Sequence, residues 1–434
     1  MRIPATPPAL DLLLKGNAAR LSALFAAVHR GEPYLHWDDV RRRPPPTGLR
    51  HEEYWLVLKL RRSGEALPLV STDGKPFSFA PAACLELLHR IDRAAGQRVE
   101  TLERHAFPVA PERFLASSLA EEAISSSQLE GAATTRQVAK EMLRSGRRPA
   151  TSGERMIFNN FQAMERLRQW REESVTPDRI LELHAILTAG TLESSGAEGR
   201  VRRPDERVLV RDEREEVLHV PPPADELPRR MDAMCRFANE TGGRFVHPVV
   251  RSILLHLWLA YDHPFVDGNG RTARALFYWS MLRQGYWLCE YLSISRLLRK
   301  APATYARSFL YVETDDLDAT YFVLAQLRVI DRAIADLWSY VDLKVSEVRE
   351  MERVAARSGE FNHRQLALLG HALRHADTVY TFDSHRMSHG VVRQTARADL
   401  LDLVSCDLLL QGKAGRKVVF RVPRDLAKRL GRSH

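Results

Sequence analysis

Two apolar stretches with helical spacing, Pro248 to Tyr261 and Gly270 to Gly285, are separated by His263-Pro264-Phe265-Val266-Asp267-Gly268-Asn269-Gly270-Arg271-Thr272-Ala273-Arg274, which contains the only Gly-Asn-Gly in the chain. This junction constrains the fold more than any other segment. Gly268, Asn269 and Gly270 permit left-handed backbone and leave N–H groups uncovered, and a helix starting at Gly270 or Arg271 adds the positive end of its dipole. Anions bind at such a point. Arg271 and Arg274, three residues apart on that helix, bring two guanidiniums above its first turn, in the bidentate manner that suits phosphate. The expected ligand is a polyphosphate. Asp267 places a carboxylate beside the turn, suited to an oxygen-ligated Mg²⁺ that bridges two phosphates and arrives with nucleotide. His263 is the group nearby whose ordinary pKa of ~6.5 lets it take a proton at neutral pH, so it is the candidate general base. Phe265, with no polar atom, is expected to anchor the loop in the core.

Helical periodicity extends well beyond this junction. It predicts helices at Leu115 to Leu129, Glu154 to Arg171, Thr176 to Ala189, Ala224 to Asn239 and Leu317 to Arg349. One segment breaks the pattern: Arg207 to Val210 and Val217 to Val220 are β-forming runs around the charged turn Arg211 to Glu216, and Pro221-Pro222-Pro223 ends the second run. A hairpin between helices is expected there. Ahead of the helical body lie a proline-rich opening and an extended connector at Arg41 to Pro46. They are followed by a helix over Glu52 to Arg62, short strands at Leu67 to Ser71 and Phe77 to Phe79 about the turn Asp73-Gly74, and a helix over Ala83 to Ala95.

At 434 residues the chain exceeds one domain, and 27% charged with 44% apolar residues describes an ordinary globular protein. Its longest apolar run, Ser252 to Tyr261, contains His256 and stops at Asp262, short of the ~20 residues that a bilayer span needs. A membrane protein is therefore not expected. Asp11 and Lys15 break any apolar run near the N-terminus, so the expected location is the cytoplasm. Cys84, Cys235, Cys289 and Cys406 are far apart, with no C-x-x-C or H-E-x-x-H, and read as buried small hydrophobes.

Charge gathers at the C-terminal end. Residues 361–434 hold 13 Lys plus Arg against 6 Asp plus Glu, so they carry +7 of the formal +9. Helices over Arg364 to His375 and Val391 to Leu403, then strands Leu408 to Leu410 and Val418 to Phe420 about the turn Gly412 to Arg416, suggest a winged helix-turn-helix. Arg393 and Arg397 on its second helix, with Arg416 and Lys417 on the wing, offer contacts to DNA phosphates. Dimerisation or docking of a protein target is an equal use of such a module.

The segment His263 to Arg274 resembles the signature H-x-F-x-[DE]-G-N-G-R-x-x-R of the Fic family at every specified position. The resemblance implies a mostly α fold: a Fic helical core with a β-hairpin flap, a small N-terminal α/β element and a C-terminal winged helix-turn-helix. It also implies transfer of AMP from ATP, with Mg²⁺ or Mn²⁺, to a hydroxyl of a target protein. By the resemblance His263 would deprotonate the target, Asp267 would hold the metal, and Gly268, Asn269 and Gly270 would cradle the α and β phosphates. Arg271 would grip phosphate and Arg274 the γ-phosphate. A related Doc-like branch that phosphorylates its target has Lys where this chain has Gly270. The hairpin over 207–220 falls where the family has a flap that aligns the target segment by strand addition.

A second resemblance lies upstream. Ser126, Glu130 and Gly131 match the inhibitory motif [ST]-x-x-x-E-[GN], in the position of the class whose inhibitory helix is N-terminal. In that class the Glu pairs with the second motif arginine, here Arg274; in some relatives it also activates water to remove AMP. Tyr34-Leu35-His36-Trp37 to Arg62 looks like the leader of many bacterial Fic proteins, and Thr395 to Leu400 like the T-A-x-x-D-L helix of their winged-helix modules. Thr304-Tyr305 stands where relatives often have Tyr-Tyr near the adenine pocket. The implied organisation is a leader over residues 1–110, a Fic domain over 111–350 with its inhibitory helix near 115–131, a winged helix over 361–424 and a basic tail over 425–434. The alternative reading is a DNA-binding regulator whose Fic domain senses ATP.

Overall fold

The computed structural model describes residues 2–29, 31–68, 77–95, 111–194, 196–240, 245–358, 361–374, 378–414, 417–423, 425–426 and 429. The expected turns at Asp73-Gly74 and Arg416, and most of the basic tail, lie outside the described residues. The chain divides into two compact groups, Met1–Val99 with Val109–Leu337, and Glu100–Pro108 with Trp338–His434.

The first group is mostly helical, with two short antiparallel strand pairs. Helices α1 (Leu10–Asn17), α2 (Leu21–Ala27), α3 (Trp37–Val40) and α4 (His51–Glu65) open it, and α1, α2 and α4 close around Leu24, Val28, Trp55, Leu56 and Val57. The proline-rich opening therefore contains two helices that sequence spacing does not reveal. Neither has a side-chain N-cap, and each is too short to be stable without the apolar face that α4 supplies. A two-stranded sheet, β1 (Leu67–Pro68) with β2 (Ser78–Phe79), and α5 (Leu85–Ala95) follow.

The main body comprises α6 (Pro111–Leu129), α7 (Arg136–Ser145), α8 (Ser152–Gln169), α9 (Pro177–Thr188), the hairpin β3 (Val210–Arg211) and β4 (Val217–His219), α10 (Leu227–Asn239), α11 (Pro248–Asp262), α12 (Asn269–Arg283), α13 (Ile294–Lys300), α14 (Pro302–Thr314) and α15 (Thr320–Ser358). At its centre are α11 and α12, buried around nearly their whole circumference, which is the behaviour of core helices rather than surface ones. Side-chain caps set where their neighbours begin: Thr151 accepts from the Glu154 N–H ahead of α8, and Thr176 from the Arg179 N–H ahead of α9, with Pro177 in the first turn. Trp279 of α12 donates its indole N–H to the Trp170 carbonyl at 2.9 Å, the two rings 5.5 Å apart, which docks α12 on the end of α8. Among the described residues no helix is long and apolar enough to cross a membrane.

The second group contains α16 (His363–Arg374), α17 (Phe382–His389) and α18 (Arg393–Ser405), with an antiparallel sheet in the order β5 (Val379–Tyr380), β7 (Lys417–Arg421), β6 (Leu410–Ala414). Its core gathers Leu369, Ala372, Leu400, Leu403, Leu408 and Phe420. Asp399 holds it together, accepting from Arg364, Asn362 and His385, and these donors hold its carboxyl well below the usual range despite burial. The structure corrects two readings here. Strand β6 starts at Leu410 because Leu408 and Leu409 turn into the core, and Cys406 is half-buried whereas the other three cysteines are buried.

Candidate active site

Helix α11 ends at His263, whose backbone is left-handed at φ 47° and whose N–H donates to the Leu259 carbonyl at 3.0 Å. The chain then dips inward. Phe265 is fully buried and stacks on His184, centroids 3.7 Å apart, as its apolar ring requires. Asn269 is spent on closing this loop: its Oδ1 accepts from the Phe265 N–H at 2.9 Å and its Nδ2 donates to the Phe265 carbonyl at 2.8 Å. Helix α12 begins at Asn269, one residue earlier than expected, so Gly268 alone of the three turn residues has positive φ, 83°. Space demands glycine as well. A Cβ at Gly268 would lie 2.6 Å from Thr188 Cγ2, and one at Gly270 would run into the Glu130 carboxylate, 2.9 Å from its Cδ.

His263 is half-buried, and its Nδ1 lies 3.2 Å from the Ala260 carbonyl. A carbonyl only accepts, so Nδ1 carries the proton and Nε2 keeps its lone pair. Burial pushes the imidazole pKa down to about 4, with His219 and Arg202 pushing the same way, so the ring is neutral at pH 7. Arg202 also braces the loop, its N–H donating to the Pro264 carbonyl at 2.8 Å, Nε to the His263 carbonyl at 3.0 Å and Nη2 to the Pro222 carbonyl.

Asp267 points outward, its side chain 64% exposed. Its Oδ1 accepts from the Gly268 N–H at 2.5 Å, and its Oδ2 stands 3.7 Å from Arg271. Among the described residues no group of three or more His, Cys, Asp or Glu converges on one point, so a divalent ion here fits only as Mg²⁺-type ligation by one carboxylate plus phosphate oxygens and water. Arg271 is buried, donates to the Leu187 carbonyl at 2.9 Å, and has an Nε with no partner among the described residues.

Arg274 is buried as well. Nε donates to Ser126 Oγ at 2.9 Å, while Nη2 donates to the Ser126 carbonyl at 2.9 Å and to Glu130 Oε1 at 2.8 Å. Burial opposes its charge, yet Glu130 outweighs that and its pKa is raised. Ser126 and Glu130 therefore meet Arg274 directly. Gly131, at φ 91°, contributes the left-handed turn after α6 rather than a contact. Tyr305 lies alongside Arg274, and its hydroxyl is 2.7 Å from His256 Nε2.

The hairpin pairs Val210 with His219 and Arg211 with Val217, with a bulge between. The ring of His219 is wedged between two acceptors: Nε2 donates to the Tyr261 carbonyl at 2.6 Å, and Nδ1 is 3.0 Å from Glu313 Oε1. A cavity of about 330 Å³ opens beside it, lined by Val217, Val220, Tyr261, Glu313 and Leu317.

Two functional neighbours escape sequence reading. Arg202 is one, with nothing in its surroundings to mark it. The other is His184, buried on α9, whose Nε2 donates to the Asp267 carbonyl at 2.9 Å while Nδ1 accepts from the Gly199 N–H at 3.0 Å. Its only sequence signal is a histidine on an apolar helix face.

Residues 174–281 match a family model described as the Fic/DOC family. The chain is 36% identical over 118 residues to protein adenylyltransferase Fic of Nematostella vectensis, covering 27% of this chain and 25% of the relative. It is 41% identical over 68 residues to that of Drosophila melanogaster, covering 16% and 14%. The chain thus spans a quarter or less of the curated relatives it matches. A crystal structure of a Fic family protein from Desulfovibrio desulfuricans G20 superposes with TM-score 0.53 at 20% identity, over 82% of this chain and 98% of that one, a likeness of fold.

Proposed function

We propose, on the premise that this chain carries a Fic domain, that it transfers AMP from ATP to a Ser, Thr or Tyr hydroxyl of a target protein and that Glu130 keeps this transfer slow. One observation carries the reading: the Glu130 carboxylate sits on Arg274 and against Gly270, in the same site as the neutral imidazole of His263, whose Nε2 is free to accept a proton. His263 Nε2 takes the acceptor's proton as the hydroxyl oxygen attacks the α-phosphorus; the bond to the β-phosphate oxygen breaks and pyrophosphate leaves. The amides of Gly268 to Gly270 and the buried Arg271 support the phosphates, and Arg274 is the partner for the γ-phosphate. Asp267 is placed to hold Mg²⁺ or Mn²⁺, which when bound would offset the charge of the leaving pyrophosphate.

The inhibition is competition for one guanidinium. While Glu130 occupies Arg274, a γ-phosphate has no place there, and the α-phosphate is not aligned for in-line attack. The same carboxylate, 29% exposed, would on this reading also activate water for removal of AMP. A target segment docks by adding a strand to the hairpin over 207–220, beside the cavity at His219. Thiols left free in all four cysteines suit the cytoplasm.

The test is incubation of the purified chain with labelled ATP and cell lysate: weak labelling by the natural protein and strong protein labelling by Glu130→Gly are expected, and equal labelling rejects the reading. A second reading, a DNA-binding regulator that senses ATP, draws support from Arg393 and Arg397, exposed on one face of α18, the helix expected to read DNA in a winged helix-turn-helix. Salt-dependent duplex binding by the full chain, with no labelling by Glu130→Gly, would favour it.

A further inference from the structure

Helices α6 and α12 meet along a ladder with a period of four residues. Glu130 lies against Gly270, Ser126 bonds Arg274, and Glu122 lies beside Tyr278, whose hydroxyl donates to the Leu292 carbonyl at 3.2 Å. Four residues forward on α6 match four residues backward on α12, so the helices run antiparallel with their facing side chains in one fixed register.

The third rung is unlike the other two. Glu122 is 1% exposed and lies outside the nucleotide turn. Its Oε2 accepts from the Ser295 N–H at 3.0 Å and from Ser293 Oγ at 3.2 Å, and its Oε1 accepts from Ser295 Oγ. These donors flank the start of α13, and the Ile294 N–H between them donates to Tyr278 itself at 3.0 Å. A leucine would bury more comfortably than a carboxylate at this position. Its burial costs desolvation that the three Ser293–Ser295 donors offset, and their geometry holds the carboxylate in one place. A slip of α6 by one turn would carry Glu130 about 6 Å along α12, beyond reach of Arg274.

We propose that Glu122 is a positioning residue for the inhibitory contact: by tying α6 to the Ser293–Ser295 segment, whose Ile294 N–H bonds Tyr278 of α12, it sets the register that brings Glu130 onto Arg274. This rests on the reading of Glu130 as the inhibitor. It assigns to the interior of α6 a role in regulation that the nucleotide turn alone does not contain.

The experiment uses the full-length chain. Glu122→Ala should raise AMP labelling about tenfold over the natural protein, yet change labelling by less than about twofold in the Glu130→Gly background, where no contact remains to be positioned. Glu122→Gln keeps shape and one acceptor, should fold where Glu122→Ala does not, and should raise labelling about threefold. No rise in either variant that folds, or the same fold-change in both backgrounds, overturns the proposal. Amide hydrogen exchange is read in parallel: the amides from Ser126 to Gly131 should exchange faster in the Glu122 variants, and unchanged protection overturns the proposal as well. If Glu130→Gly itself labels nothing, it is the functional reading that fails, and the exchange measurement still decides whether Glu122 positions the helix.

Discussion

The two ends of the site are built in opposite ways. At the proposed phosphate end, Asn269, Arg274 and His184 have their polar atoms committed to neighbours within the fold, and Arg274 is paired with the Glu130 carboxylate. At the hairpin, strands of two and three residues leave Val217 and Val220 exposed, beside an open cavity. A preformed end held by one ion pair would need one contact removed to become competent. An open edge acquires its selectivity from what it binds. On the proposed reading, rate control and target choice fall in different parts of the molecule.

This contrast can be broken by experiment. The largest effect is expected at the phosphate end: adding His263→Ala to Glu130→Gly should lower labelling about a thousandfold, the scale of a lost general base, and a smaller loss would move the proton acceptor elsewhere. At the other end, Val217→Asp with Val220→Asp should raise the KM for the protein target about tenfold and leave the KM for ATP unchanged. Steady-state kinetics varying each substrate separates the two, and a rise in both would show that the ends are not independent. Ser126→Ala removes one of the bonds to Arg274 while sparing Glu130, so basal labelling should rise by only about threefold.

The smallest effect concerns stability. The imidazoles of His184 and His263 are pushed down to about 4 by burial, and that of His256 to about 3. Unfolded imidazoles take a proton near pH ~6.5, so below that pH the unfolded state binds more protons and stability falls as pH drops toward 4. A fall in melting temperature on the order of 5 °C between pH 7 and pH 5 is expected. Replacing His184 by Gln should make that fall shallower, and an unchanged slope would remove His184 from the account.

Much of this molecule was legible without a structure. The core helices were, because an apolar face repeating every 3.6 residues over a long segment admits few other solutions. Helices α1, α2, α7 and α17 were not, being short segments whose apolar faces are completed only by packing on other helices. The turn from His263 to Arg274 was readable because its glycines, its helix start and its arginines are neighbours in the chain. The resemblance to an inhibitory motif brought Glu130 to Arg274 across 144 residues, and the structure has that pair at 2.8 Å. Nothing comparable linked His184 to Asp267, Arg202 to His263 or Glu122 to Ser295.

Backbone freedom at Gly268 and the dipole at the head of α12 follow from residues adjacent in the chain, so an anion-binding turn was implied by composition and spacing alone. Which carboxylate meets Arg274 and which imidazole carries the Asp267 carbonyl depend on groups 144 and 83 residues apart. Those choices belong to packing, because burial and hydrogen-bond geometry arise only when separate helices share one interior.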